Sequence, residues 1–249
     1  MLTAQKSKPF RRLFYLYQKH YLIKRNFHTV VCKGDVDPIQ SGPVIYIANH
    51  SSWWDGLLIF QLTEQLSNLD HYIMMDEKGL SKYQFFRKLG AFSVNKQHPR
   101  DIVRSLNYSE QLVQQGKAIW MFPQGAIEHQ EKRPFELESG IGALIKTLDQ
   151  VIVKPVSFHY SFSEQQKPIA SIIVDEVLVR NGRELDRHQW TQVFRDILEK
   201  QVDAHRDYVI EHPHFYDYAT FKPINKRSKS TSDLFDDWKE GIRKWMPFS

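Results

Sequence analysis

The segment Pro43-Val-Ile-Tyr-Ile-Ala-Asn-His-Ser-Ser-Trp-Trp-Asp55 joins an apolar run to a helical pattern through a short polar turn. Residues 43–48 have the composition of a buried strand, and residues 54–66 repeat apolar side chains at helical spacing. The same alternation continues along the chain. Strands separated by helices predict an α/β fold with a mainly parallel sheet covered by helices.

The alternation of strands and helices extends to residue 211. The further predicted strands are 72–75, 91–94, 118–122, 151–158 and 169–179, and the further predicted helices are 83–88, 102–115, 141–148 and 190–211. No G-x-G-x-x-G or Walker loop occurs in the sequence, which disfavours a nucleotide-binding enzyme.

Length and composition set further bounds. The chain has 249 residues and a net charge of +5, which suits one domain with small appendages and predicts no nucleic-acid partner. Cys32 is the only cysteine, so no internal disulfide can form and a reducing compartment is expected. Because no run approaches the roughly 20 apolar residues that cross a bilayer, we predict neither a membrane-spanning helix nor a secretory signal.

Residues 1–30 form the predicted N-terminal unit, a basic amphipathic helix. The side chains of Phe10, Leu13, Phe14, Tyr17 and Tyr21 recur at helical spacing among Lys6, Lys8, Arg11, Arg12, Lys19, Lys24 and Arg25. Such a helix predicts contact with anionic lipids, because each cation near a membrane surface adds about 1 kcal/mol to binding. Packing of this helix on the domain is the alternative.

Residues 31–215 are the predicted α/β domain, and residues 216–249 are a predicted linker and C-terminal amphipathic helix. In this tail, the polar stretch 226–232 precedes one apolar helical face made of Leu234, Phe235, Trp238, Ile242 and Trp245. Such a Trp-rich face either lies on a membrane or packs on the domain.

A His followed five positions later by Asp occurs at residues 50, 71 and 212, and about one such match is expected by chance. Context favours the first, because His71 begins a predicted strand and Pro213 interrupts the third pair. If His50 lies in the turn and Asp55 in the first helical turn, the carboxylate can accept a hydrogen bond from one imidazole nitrogen. The other nitrogen is then free to act as a general base. The alternative is a capping box, with Ser52 as N-cap.

Three more motifs lie at or just after apolar runs. They are Gly90-Ala-Phe92-Ser-Val-Asn-Lys96, Phe122-Pro123-Gln124-Gly125 and Val153-Lys-Pro155-Val156. Together with His50-Ser-Ser-Trp-Trp-Asp55, this ordered set resembles the four sequence blocks of the glycerolipid acyltransferase superfamily, and the resemblance covers about residues 40 to 160.

The resemblance implies a role for each block. His50 and Asp55 correspond to the catalytic pair, and the expected substrate-binding residues are Gly90, Phe92, Lys96, Phe122, Pro123, Gln124, Gly125 and Pro155. Four positions depart from the superfamily pattern: Lys96 replaces an Arg, Gln124 replaces a Glu, and Ala126-Ile127 replaces Thr-Arg. Gln124 can still bind an acceptor hydroxyl but cannot act as a base. Lys132 and Arg133 either replace the missing Arg or are solvated loop charges.

The expected activity is transfer of an acyl group from acyl-CoA or acyl-ACP to a hydroxyl of a lysophospholipid, such as 1-acylglycerol-3-phosphate, in phospholipid biosynthesis. We predict a peripheral enzyme on the cytoplasmic face of the membrane, with no metal or bound cofactor. The departures leave alternatives: an unphosphorylated acceptor such as a glycolipid or glycosylated isoprenoid, a thioester hydrolase, or a non-catalytic lipid-binding protein of the same fold.

Overall fold

The computed structural model describes residues 1–245, and in the last helix it describes the side chains of residues 231–233, 235 and 237–240 only. The strands are β1 Thr29–Lys33, β2 Val44–Ala48, β3 His71–Asp76, β4 Ala91–Val94, β5 Ala118–Met121, β6 Val151–Ser161, β7 Ile169–Val174, β8 Val177–Val179 and β9 Lys222–Pro223. The helices are α1 Lys8–Tyr17, α2 Ile23–Asn26, α3 Trp54–Leu66, α4 Glu77–Lys82, α5 Phe86–Leu89, α6 Pro99–Gln114, α7 Gly140–Lys146, α8 Arg187–Glu211 and α9 Thr231–Trp245.

One sheet organises these elements in the order β4-β3-β5-β2-β6-β7-β1-β9, with β8 paired to β6. Every pair from β4 to β6 along this order is parallel, whereas β7 runs antiparallel to β6. The predicted α/β class with a mainly parallel sheet is therefore confirmed.

Strand β2 is buried on both faces. Val44, Tyr46 and Ala48 belong to a core on the side of α2 and α3, whereas Ile45 and Ile47 belong to a core on the side of α6, α7 and α8. This alternation follows from the two-residue period of a strand. It explains why residues 43–48 read as a continuous apolar run.

The N-terminal segment packs on the domain. Helix α1 runs antiparallel to α3, with contacts between Arg11 and Glu64, between the rings of Phe14 and Phe60 (centroids 5.5 Å apart), and between the Gln18 amide and the Leu57 carbonyl (2.5 Å). A π-helical turn, Gln18–Leu22, separates α1 from α2. Within residues 1–245, no helix is long and apolar enough to cross a membrane.

Several predicted boundaries need correction. The division between residues 30 and 31 cuts through β1, and β9 of the predicted tail unit pairs with β1. Both flanks therefore contribute to the sheet. The side chains of Leu234, Ile242 and Trp245, which the predicted C-terminal apolar face includes, lie outside the described residues.

Candidate active site

The turn after β2 brings His50 and Asp55 together. The Nδ1 atom of His50 lies 2.8 Å from Oδ2 of Asp55, whose side chain is fully buried at the start of α3. The same carboxylate oxygen accepts the backbone N–H groups of Ser51 (2.8 Å) and Ser52 (2.9 Å). Asp55 thus orders the turn, as the capping alternative requires, and also holds the imidazole.

The second oxygen of Asp55 accepts a hydrogen bond from the Tyr160 hydroxyl at 2.5 Å. Tyr160 lies near the end of β6, and the side-chain amide of Gln130 pairs with both its backbone N–H and its carbonyl at 3.2 Å. Burial and the facing Asp55 carboxylate raise the pKa of the Tyr160 hydroxyl well above its usual range. Sequence reasoning missed Tyr160, because it lies beyond the predicted strand 151–158 and belongs to none of the four motifs.

The imidazole of His50 is fixed on its flat side as well. Its ring stacks on Phe122, with centroids 4.1 Å apart and an interplanar angle of 13°. Because Asp55 accepts a hydrogen bond from the Nδ1–H group, the neutral ring keeps its lone pair on Nε2. The arrangement suits proton abstraction by Nε2.

The other two His/Asp pairs with this spacing have different partners. His71 Nδ1 accepts the indole N–H of Trp120 at 3.0 Å, and Asp217 is bound by Arg227. His50 and Asp55 are the pair that the fold couples at the end of β2.

An apolar cavity of about 430 Å³ opens beside His50. The predicted site residues that line it are His50, Lys96, Phe122 and Gly125, and its apolar lining includes Trp53, Leu57, Ile73, Met74, Met75, Phe86, Met121 and Ile127. A narrower cavity of about 40 Å³ shares Gly56, Ile73, Phe86 and Ala91 and continues to Ile59, Phe60, Thr63 and Trp120. The apolar space therefore extends from the base into the core.

Lys96 follows β4 and is the lysine that lines the main cavity. Its Nζ lies 3.5 Å from the Glu138 carboxylate. Gly125 has φ +70°, and a Cβ at this position would collide with the Lys96 ammonium. Gly125 is therefore needed for its backbone conformation.

Gln124 occupies a different position from the one predicted. Its Oε1 accepts the backbone N–H of His50 at 2.7 Å, and its Nε2 donates to Glu128 at 2.9 Å. Only 8% of the residue is exposed, and it does not line the cavity. The prediction that Gln124 binds the acceptor hydroxyl needs correction, because both ends of the amide are engaged inside the protein.

Four further predicted substrate-binding residues also lie away from the cavity. Gly90 ends α5 with φ +117°, where a Cβ would meet the His71 carbonyl at 2.9 Å. Phe92 is fully buried and packs against the Tyr108 ring of α6, with centroids 5.1 Å apart. Both residues shape the fold around β4 rather than the cavity.

Pro123 and Pro155 are likewise structural. Pro123 is buried, and its carbonyl accepts the Glu138 N–H at 2.8 Å. Pro155 lies inside the 11-residue strand β6, opposite Ile47 and within the predicted strand 151–158. Residues 153–156 therefore lie within a central strand of the sheet, and Pro155 does not line the cavity.

The loop cations have local partners. Lys132 pairs with Glu128, and Arg133 lies 2.7 Å from Asp203 of α8. Neither lines the cavity, so neither replaces the missing Arg there. In the part of the chain that the structure describes, no three His, Cys, Asp or Glu side chains group as metal ligands would.

Comparisons with known proteins identify the family and the fold. A family model described as Acyltransferase matches residues 24–159, more than half of the chain. Among solved structures, the fold is similar to that of the 1-acyl-sn-glycerophosphate (LPA) acyltransferase PlsC from Thermotoga maritima. The TM-score is 0.51 at 15% identity, over 79% of this chain and 77% of that chain. No curated protein matches the sequence significantly.

Proposed function

The chain belongs to the Acyltransferase family, and on this premise we propose that it transfers a fatty acyl group from acyl-CoA or acyl-ACP to a lysophospholipid hydroxyl, as in 1-acylglycerol-3-phosphate. The observation that carries the proposal is the His50 and Asp55 pair at the edge of an apolar cavity of about 430 Å³. A volume of this size lies within the usual ~300–1,000 Å³ of small-ligand sites.

In the proposed reaction, Nε2 of His50 takes the proton of the acceptor hydroxyl while the oxygen of that hydroxyl attacks the carbonyl carbon of the thioester. The tetrahedral intermediate then expels the thiolate, which the imidazolium protonates, so that an ester and a free thiol leave the site. Asp55 stabilises the imidazolium, and base catalysis of this kind contributes typically ~100- to 10,000-fold. No acyl-enzyme is required.

The cavity supports positions for the hydrocarbon chain and for the thioester carbonyl of the acyl donor. Its Met, Ile and Phe side chains suit the hydrocarbon chain, because burial of apolar surface drives such binding. The backbone N–H groups of Ala126 and Ile127, at the rim, donate to no acceptor within the described residues. We assign them as oxyanion donors, since preorganised N–H groups stabilise charge that develops in the transition state.

A second acceptor class is favoured by the balance of charge next to Lys96. A polar pocket of about 520 Å³ adjoins the apolar cavity and contains Lys96 and Lys78 together with Asp76 and Glu77. With Glu138 also near Lys96, the site lacks the cationic excess that a phosphate monoester prefers. An unphosphorylated hydroxyl of a glycolipid or glycosylated isoprenoid is therefore the second candidate.

Membrane contact is proposed through one face of α1 and the turn that follows it. Leu13, Leu16, Tyr17 and Tyr21, here called the exposed stripe, are 44–66% exposed. They lie on the side of α1 away from α3, with Arg12 exposed beside them. Because α1 runs antiparallel to α3, the stripe leads toward Trp53 at the cavity. We propose peripheral binding to the anionic cytoplasmic membrane surface, which would present the cavity to lipid substrates.

The test is thiol release from acyl-CoA and acyl-ACP with a panel of acceptors, combined with product mass. The panel contains lysophosphatidate, a neutral monoacylglycerol and a glycolipid. Acceptor-dependent release with lysophosphatidate supports the first proposal, and preference for the glycolipid supports the second. Thiol release without an acceptor indicates a hydrolase, and the absence of thiol release with any donor would refute the proposed acyltransferase activity.

A further inference from the structure

Gln124 and Glu128 lie on both sides of the backbone of the proposed base. The Gln124 Oε1 accepts the His50 N–H at 2.7 Å, and the Glu128 N–H donates to the His50 carbonyl at 2.9 Å. The two side chains are joined to each other by the Nε2 to Oε2 hydrogen bond of 2.9 Å. The main chain of His50 is thus held at its donor and at its acceptor by one connected unit, the Gln124–Glu128 couple.

The contacts of this couple suit an amide at position 124 and not a carboxylate. The side chain there must accept from the His50 N–H and also donate to a carboxylate; an amide does both at neutral pH, whereas an ionised carboxylate can only accept. The hydrogen bonds from Lys132 and Gln124 lower the pKa of Glu128 and keep it ionised. An ionised carboxylate at position 124 would therefore face the Glu128 carboxylate with no proton between them.

We propose that the Gln124–Glu128 couple is a positioning device for His50, in which Gln124 complements the carboxylate at position 128 and does not bind the acceptor. This inference rests on the proposed role of His50 as base. A base must be held close to its productive geometry, since a displacement of about 1 Å can cost roughly 100-fold in rate.

The first variant is Gln124→Glu. The like charges should push the 122–128 loop away from the His50 turn, and kcat should fall by at least about tenfold with every acceptor. The KM for the acceptor should change little, because the altered group does not touch it. This split of kcat from KM separates positioning from substrate binding.

The decisive variant is the exchange Gln124→Glu with Glu128→Gln. The carboxylate introduced at position 124 accepts from the His50 N–H, and the amide introduced at position 128 donates to it, so kcat should return to within about threefold of the parent. Glu128→Gln alone is the matched control. Its amide oxygen can still accept from Gln124, so its effect should be small.

Two results would overturn the inference. One is Gln124→Glu retaining or improving kcat while the KM for the acceptor changes, which would make Gln124 a substrate-binding residue. The other is an exchange variant no more active than Gln124→Glu. Thermal unfolding of the same four proteins gives a readout independent of turnover. If the parent transfers no acyl group, the proposed function fails, whereas a loss of Tm in Gln124→Glu that the exchange restores still supports the couple.

Discussion

The Asp55 carboxylate accepts hydrogen bonds from the His50 ring, from two backbone N–H groups of its own turn, and from Tyr160, which lies 105 residues later. The turn supplies three of these contacts locally. Tyr160 supplies the fourth from another strand, and so couples the position of Asp55 to the sheet. The orientation of the base is therefore a property of both the turn and β6.

Replacing Tyr160 by Phe removes this contact and leaves the ring. We expect kcat to fall about tenfold and the acceptor KM to stay within about twofold, because the hydroxyl orients Asp55 and touches no substrate. Tyr46→Phe is the matched control, since it deletes a buried hydroxyl that donates to the Val36 carbonyl at 2.7 Å. A parental kcat in Tyr160→Phe would show that Asp55 needs no support from β6.

Among individual residues, the sequence allowed prediction of those whose partners are close in the chain. His50 and Asp55 could be paired because one turn fixes their geometry, and Gly125 could be identified because its block follows a strand. Tyr160 and the internal bonds of Gln124 could not be predicted, since they depend on contacts 105 and 74 residues apart. Phe92 was misassigned because a block motif does not show which side of the sheet a ring packs on.

Among the helices, α3 contains a glycine at the junction of the two apolar cavities. A Cβ at Gly56 would meet no atom within 4 Å, so Gly56→Ala should stabilise the fold by roughly 0.5–1 kcal/mol. Gly56→Leu should fill the junction. We expect kcat/KM for long-chain acyl donors to fall by at least about tenfold more than for short-chain donors. An unchanged ratio of long to short donors in Gly56→Leu would place the acyl chain elsewhere.

Helix α1 makes the membrane proposal testable. Leu13→Glu with Leu16→Glu should reduce co-sedimentation with anionic vesicles at low salt by at least about fivefold, because both apolar contact and charge attraction are lost. The Tm should change little, since both side chains are exposed. Ile210→Glu is the matched control: Ile210 and Leu13 are each 66% exposed, and Ile210 lies on α8, across the sheet. Equal binding of the two proteins would contradict a membrane-facing stripe.

Arg11 is a poor position for such a test. It was grouped with the basic residues of the N-terminal helix, but it pairs with Glu64 of α3. Charge reversal there would disrupt packing as well as any lipid contact.

The bounds of helices could be predicted where the apolar pattern repeated over many residues. The predicted bounds were wrong where a capping residue sets the end of the helix. Helix α3 occupies residues 54–66 as predicted. The predicted helix 83–88 is instead α4 and α5, because Asp76 caps α4 through the N–H groups of Lys78 and Gly79, and Gly90 ends α5 in a left-handed conformation. Strand β1 was missed because its short run, Thr29–Lys33, carries no clear period.

For the whole molecule, the parallel sheet explains why blocks distant in sequence form one site. Ile47 pairs with Met121, so the residues after β2 and β5 emerge side by side and bring His50 onto Phe122. Strands β3 and β4 end at the same edge and deliver Asp76 and Lys96. Sites at the carboxyl edge of parallel strands are expected for this class of fold, and this is why the order of the blocks allowed a correct fold prediction.

The packed core also predicts sensitivity to acid. Burial lowers the pKa of His71 and of His205 to about 3. Between about pH 3 and the ordinary histidine pKa of 6.5, the unfolded chain binds more protons than the folded chain. The contribution of these two histidines to the free energy of unfolding is therefore fully present above pH 6.5 and is lost as the pH decreases. Each of the two histidines should lower the free energy of unfolding by up to about 1.4 kcal/mol for each pH unit of acidification.

His205→Gln tests this pH dependence. His205 is held between the hydroxyls of Ser157 and Ser171, each at 2.8 Å, and an amide can replace both contacts. Urea unfolding at several pH values from 4 to 7 should show a shallower loss of unfolding free energy in the variant. A slope equal to that of the parent would assign the acid sensitivity to other groups.

Acceptor-dependent thiol release by the His50→Ala variant tests whether His50 is the base of an acyl transfer. The variant should keep the Tm of the parent within a few degrees, because the ring is partly exposed, and its rate should fall by at least about 100-fold. His212→Ala, which removes the histidine of another His/Asp pair of equal spacing, should retain nearly full activity. A folded His50→Ala protein with near-parental, acceptor-dependent release would show that His50 is not the base.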